Sequence, residues 1–335
     1  LEFTSSEEIE EPSVVINGVA ATLTGYGTSW QATYPVPDYR AMVSTLAGKA
    51  GAIGVANGTG AEARFLVTKL LTADGTHIYL VDENVIRKVV IASAEVTTLA
   101  GSVNENLGSV VGSADGTGAS ASFKFPGDVT IDGAYLYVTD RNNHTIRKIE
   151  LSSGEVTTFA GKAGASGSTD GTGTAARFNY PTGITTDGTH LYVADSSNYT
   201  IRKIVISSGE VTTLAGTVGT YGSADGTGTG AGFKFPNSLT TDGTNIYVTD
   251  KDNHIIRKIV ISTGVVTTLA GTAGTTGFSD GTGGAAKFLY PTGITLVGNS
   301  LYVSDYFNHS IRKIVISSGV VTTLAGTGTG TISTY

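Results

Sequence analysis

The stretch GSADGTGTGAGFKFPNSLTTDGTNIYVTDKDNHIIRKIVISTGVVTTLAG, residues 222–271, gathers acids, a histidine, a basic pair and a glycine-rich loop. Each type suggests a chemistry. The DGTG element, with Asp115, Asp170, Asp225 and Asp280 and with Asn57 in the first copy, has the short spacing of carboxylate and backbone oxygens that can wrap a hard cation. With one carboxylate per loop these are weak calcium candidates. The competing reading is a tight turn in which Asp bonds its own backbone and Gly supplies a positive φ, a role that Asn57 fills equally well. His144, His254 and His309 occupy one recurring turn, with Tyr199 in the third copy, while His77 and His190 begin another element. Zinc requires three or four ligands converging on a point, and a position that accepts tyrosine reads as packing. No metal, cofactor or catalytic residue is expected, calcium being the single candidate ion.

These groups recur, and the recurrence governs their meaning. VTTLAG or a near copy begins at residues 43, 96, 156, 211, 266 and 321, spacings of 53, 60, 55, 55 and 55. IRK recurs at Ile86, Ile146, Ile201, Ile256 and Ile311, and a terminal aspartate at Asp82, Asp140, Asp195, Asp250 and Asp305. A period of this length marks a repeat architecture. The acids and their partner asparagines Asn143, Asn198, Asn253 and Asn308 are therefore expected to bond turn backbone and the nearby arginines.

Within one repeat, ITTDG runs into a turn, THLYVAD and YTIRKIVI each alternate with a period of two, and VTTLAG closes the unit with β-branched residues, the four segments being separated by turn residues. Four antiparallel strands per unit, without helical periodicity, describe a β-propeller blade. FNYPTGITTDGTHLYVADSSNYTIRKI resembles the NHL-repeat family, and the likeness covers residues 65–326. The resemblance implies a propeller, commonly of six blades, used mainly to bind proteins, peptides, glycans or RNA. A minority of relatives are enzymes, among them a metal-dependent lyase, but no histidine here falls on an expected innermost strand.

The expected architecture is all-β: a single propeller over 13–335 of four-stranded antiparallel blades, six in number. Five repeats cover 49–101, 102–161, 162–216, 217–271 and 272–326; residues 13–48 supply a divergent sixth blade and 327–335 a closing segment. Five blades with an N-terminal appendage is the alternative. Links between blades and the turns from second to third strand share one face, which is where binding is expected. Departures from the repeat concentrate in residues 1–112: Thr68 for proline, Glu83 in a shortened turn, and Asn104, Glu105 and Asn106 in a longer link. Variable turn residues Arg141, Lys251, Tyr306 and Phe307 add exposed candidates, the last two an aromatic pair suited to a sugar or a partner protein.

Composition narrows the classes. The net charge of −7 is concentrated in Glu2, Glu7, Glu8, Glu10 and Glu11, an acidic stretch expected to form a solvated tail over 1–12. The IRK pairs spread 10 of the 21 basic residues around the fold, so nucleic acid has little support as a partner. No apolar run is long enough to span a membrane, no leader peptide is visible, and there is no cysteine. Low charge with abundant Thr, Ser and Gly suits a secreted or cell-surface bacterial protein. A non-catalytic binding or scaffold module with a protein or glycan ligand is the first expectation. A self-assembling subunit, a homo-oligomer whose N-terminal segment docks on a neighbouring copy, is the second; a metal-dependent lyase or lactonase-like enzyme is the third.

Overall fold

A computed structural model describes residues 45–104 and 108–328, together with five short strands before residue 34. The chain divides into two units, 1–45 and 46–335. In the first, Glu2–Thr4, Ser29–Thr33 and Thr22–Tyr26 form a three-stranded antiparallel sheet, and Val15–Ile16 pairs with Val19–Ala20.

The second unit holds five blades, each a five-stranded antiparallel sheet. Blade three shows the plan. Pro181–Thr186 is innermost and pairs with His190–Asp195, which pairs with Thr200–Val205, which pairs with Glu210–Ala215. A fifth strand, Gly171–Thr172, comes from the glycine-rich element and pairs with the outer edge. The innermost strands of the other blades are Thr68–Ala73, Val129–Asp132, Pro236–Thr241 and Pro291–Val297.

Two expectations are corrected here. The described residues hold five blades, not six, and five strands per blade, not four. The strands described within residues 13–48 form small sheets of their own and carry none of the F, YVxD or IRK elements that build a blade. The extra TLAG at 45–48 misled the count. Gly48 donates to the Gly60 carbonyl at 2.9 Å, just as Gly216 donates to Gly228 and Gly271 to Gly283 at the start of later units. It marks where blade one's link begins.

Side chains of a strand alternate between sheet faces, and each blade's two faces lie against neighbours. Second strands are therefore apolar on both sides: in blade three, Leu191 and Val193 pack toward blade two while Tyr192 and Ala194 pack toward blade four, all of them fully buried. Four such clusters join blades one to two, two to three, three to four and four to five. Each Ile, Val or Phe buried in them contributes about 1.5–3 kcal/mol. Among the described residues no corresponding cluster joins blade five to blade one. Ile311 is 37% and Leu324 58% exposed, whereas Ile146, Ile201 and Ile256, in the same place as Ile311, are 0% exposed.

Candidate binding face

The aspartate that ends each second strand is the centre of a buried joint. In blade three, one oxygen of Asp195 accepts the Asn179 N–H at 2.7 Å; the other accepts Asn198 Nδ2 at 2.7 Å and Arg202 Nη1 at 3.0 Å. Nη2 of Arg202 reaches Asp170 of the DGTG element at 2.6 Å, and Thr213 Oγ1 donates to the same oxygen at 3.1 Å. The guanidinium lies over the Phe178 ring, 5.2 Å from its centroid. Arg202 Nε has no acceptor, as in the other four arginines of the series, so the ring face helps offset its desolvation. Burial pushes the Asp195 carboxyl up to about 6, with Arg202 pulling the other way. Asp140 is raised by the same burial.

This joint accounts for most of the groups that look reactive in isolation. Asp115, Asp170, Asp225 and Asp280 each hold an arginine Nη2 within 3.0 Å and bond a threonine hydroxyl. Their loops are latches closing the link onto the blade's own outer strand. Among the described residues, no group of three or more His, Asp or Glu is placed to hold a metal ion.

Each joint ends at a turn on the face that also carries the links: Asn143 Nδ2 donates to Gly112 O, and the Gly164 amide donates to Asn143 O. The turn is a short 3-10 segment followed by a residue in the left-handed region, His144, Tyr199, His254 or His309. His144, Tyr199 and His254 support aromatic rings on the next blade. Tyr180 donates its N–H to His144 Nδ1 at 3.2 Å and its ring sits edge-on at 4.7 Å; Tyr290 does the same with His254 at 3.1 and 4.6 Å. Phe235 packs edge-on against Tyr199 at 5.1 Å. Burial lowers the pKa of His144, helped by Lys124 and Arg141, and burial lowers that of His254, which keeps an acceptor on Nδ1.

The supported rings, Phe125, Tyr180, Phe235 and Tyr290, have φ of 46°, 52°, 50° and 54°. Left-handed backbone is unusual for an aromatic residue, and each of these precedes a proline, which disfavours helical backbone further. Strain of about 1–3 kcal/mol per residue persists only where the surroundings over-determine it, and it clusters at functional sites. Phe125 is 42% and Tyr180 38% exposed and Phe235 and Tyr290 are half-buried, while the phenylalanines two residues earlier lie fully buried beneath the arginines. Sequence reasoning missed these four residues. The F-x-[FY]-P repetition was their signal, since only the first aromatic is needed for the core.

Of the residues singled out beforehand, Arg141 lies over Tyr180 at 5.2 Å. Tyr306 and Phe307 meet at 4.9 Å, and Phe307 meets Tyr290 at 5.2 Å. Lys251 stands on blade four's turn beside Asp252 at 3.5 Å. Glu83 accepts the Ser109 hydroxyl, and the adjoining Asn84 accepts the Phe125 N–H at 2.7 Å. Asn104 falls in a two-residue strand, Val103–Asn104, paired with Gly108–Ser109. Glu105 and Asn106 lie outside the described residues. Thr68 opens blade one's innermost strand, where Val67 replaces the aromatic ring.

The innermost strands of all five blades line an axial cavity of about 570 Å³. Thr72, Thr130, Thr185, Thr240 and Thr295 reach it at one register, with Leu71, Val129, Ile184, Leu239 and Ile294 beside them. Asp128 is its buried acid. Its oxygens accept the Val129 N–H at 2.8 Å and the Ile184 N–H of the next blade at 3.1 Å, and burial pushes its pKa up to about 7.

Radial antiparallel sheets around an axial cavity, with turns and links gathered on one face, define a β-propeller. Its repeat is similar to that of proteins named for the NHL repeat, and its fold is a β-propeller. No family model matches it. Human NHL repeat-containing protein 2 is 30% identical over 252 residues, 65% of this chain and 34% of that protein. Protein SUPPRESSOR OF QUENCHING 1, chloroplastic, of Arabidopsis thaliana is 31% identical over 195 residues, 55% of this chain and 18% of its own length. The chain thus spans about a third or less of these curated relatives. An auxiliary nutrient binding protein from Bacteroides thetaiotaomicron superposes with a TM-score of 0.63, covering 96% of this chain and 80% of its own at 17% identity. A chain of a nidogen–laminin complex gives 0.51 over 75% and 76%, also at 17% identity. At these identities the likeness is one of fold.

Proposed function

We propose that the chain is a non-catalytic binding module that works outside the cell and takes a protein or glycan ligand on the face formed by its turns and links. The observation that carries this is the set of outward, strained and individually supported rings at Phe125, Tyr180, Phe235 and Tyr290, which serve no core. Strain retained at four equivalent places is preorganisation, and preorganised rings lower the ordering cost of binding. The propeller likeness to proteins described as auxiliary nutrient binding proteins agrees with a binding role, and low charge with abundant Thr, Ser and Gly agrees with an extracellular one.

A screen of immobilised proteins and glycans, read with wild type, a Tyr180→Ala/Arg141→Ala pair and an opposite-face control such as Glu210→Ala, tests the reading. Hits should weaken at least about tenfold in the pair, the scale of one lost anchor, and persist in the control. Hits that survive the pair and vanish in the control would place the site elsewhere.

A further inference from the structure

Cations accompany the outward rings at three successive seams between blades. Lys69 Nζ lies 6.0 Å from the Phe125 centroid and donates to Pro126 O across the seam between blades one and two at 3.0 Å. Arg141 lies over Tyr180 at the next seam, and Lys234 over Tyr221 at 5.4 Å at the one after. Tyr221 is 64% exposed and leans edge-on against Tyr199 at 5.9 Å. In a chain of net charge −7, this face departs from the whole: Lys124 and Lys251 add further positive charge, against Glu83 and Asp252. Asp140, Asp195 and Asp250 contribute little outward negative charge, since they are buried against arginine, and the half-exposed Asp115, Asp170 and Asp225 are each paired with the same arginines.

We infer that the face binds a glycan bearing carboxylates on some of its sugars, a uronic acid polysaccharide, with pyranose rings on the aromatic residues and carboxylates on Lys69, Arg141 and Lys234. This rests on the binding-face reading above and names its ligand class. The apolar C–H face of a pyranose is electropositive and matches the negative face of an aromatic ring. A cation held at the edge of the same platform pairs with an acid on the adjoining sugar by a charge-assisted hydrogen bond. The charge is sparse, one cation per ring, with two carboxylates interleaved. A single-stranded nucleic acid carries a phosphate on every residue and draws its affinity from neutralising many of them. A polymer charged only on some residues avoids placing acids against Glu83 and Asp252.

Titration calorimetry of the whole chain with hyaluronan oligomers, with unsulfated chondroitin oligomers, with the methyl ester of each, and with a single-stranded RNA oligomer decides the matter. At least one acidic glycan should bind about tenfold or more tighter than its methyl ester. Arg141→Ala should remove most of that difference, whereas Tyr180→Ala should weaken acid and ester by similar factors and so preserve it. Equal binding of acid and ester, with both lost in Tyr180→Ala, overturns the acidic class but leaves the binding face standing. RNA binding in preference to both glycans overturns it in favour of a nucleic acid. Failure of both acidic glycans to bind overturns it outright, and the protein and glycan screen above then judges the face independently.

Discussion

Blades three and five share most of their repeat, yet the same residue lives differently in each. Ile201 is sealed between blades three and four, while Ile311, its counterpart, is 37% exposed. Tyr192 is fully buried and Tyr302 only partly so. The Arg202 joint, by contrast, is reproduced intact around Arg312: Nη1 meets Asp305 at 2.9 Å, Nη2 meets Asp280 at 2.9 Å, and the guanidinium covers Phe288 at 5.1 Å. One set of contacts belongs to the blade itself. The other exists only where a further blade follows.

The largest expected losses fall equally on both blades. Arg202→Ala and Arg312→Ala each leave a buried aspartate without its partner, and each should cost about 3–5 kcal/mol by urea unfolding. A much smaller loss for Arg312→Ala would mean that the joint depends on the neighbour after all. Ile201→Ala and Ile311→Ala should separate instead: about 2–4 kcal/mol for the sealed position and under about 1 for the open one. Equal costs would show that something covers Ile311 in solution.

Asp128 sharpens the comparison through pH. Its acid is neutral in the fold up to about 7, above the ordinary value of 3.8 that it regains when unfolded. Between those values the folded state holds the extra proton, so its contribution is greatest below pH 4 and declines as pH rises toward 7. Asp128→Asn removes that decline. Relative to the variant, wild type should lose about 1–3 kcal/mol between pH 4 and pH 8, and parallel stability curves would show that the acid is solvated. The smallest effect concerns local opening. Amides of Ser310–Val315 in blade five should exchange faster than those of Thr200–Val205 in blade three, because an array joined only to its neighbours frays from an uncovered end; equal protection would argue against an open end.

The repeat made the blades readable, since YVxD, IRK and TLAG each require a neighbouring strand and recur in order. The fifth strand was hidden because Gly171–Thr172 and its equivalents are two residues long and sit in a stretch whose glycines signal a turn. The blade count failed on an ambiguity of the same kind: residues 45–48 copy the end of an outer strand, but Gly48 uses that conformation to begin a link. Of the candidate site, the variable turn residues were visible in the sequence and the rings beside them were not. Arg141 and Phe307 prove to contact Tyr180 and Tyr290, whose outward pose depends on a positive φ that the residue types themselves argue against.

The arginine joint closes within a single unit, and the apolar seams follow one pattern. Removing or inserting one whole unit would therefore leave the remaining contacts in register. Array length becomes something that gene duplication can alter in one step, with no compensating substitution elsewhere. Three consecutive spacings of 55 residues are what copying of whole units leaves behind.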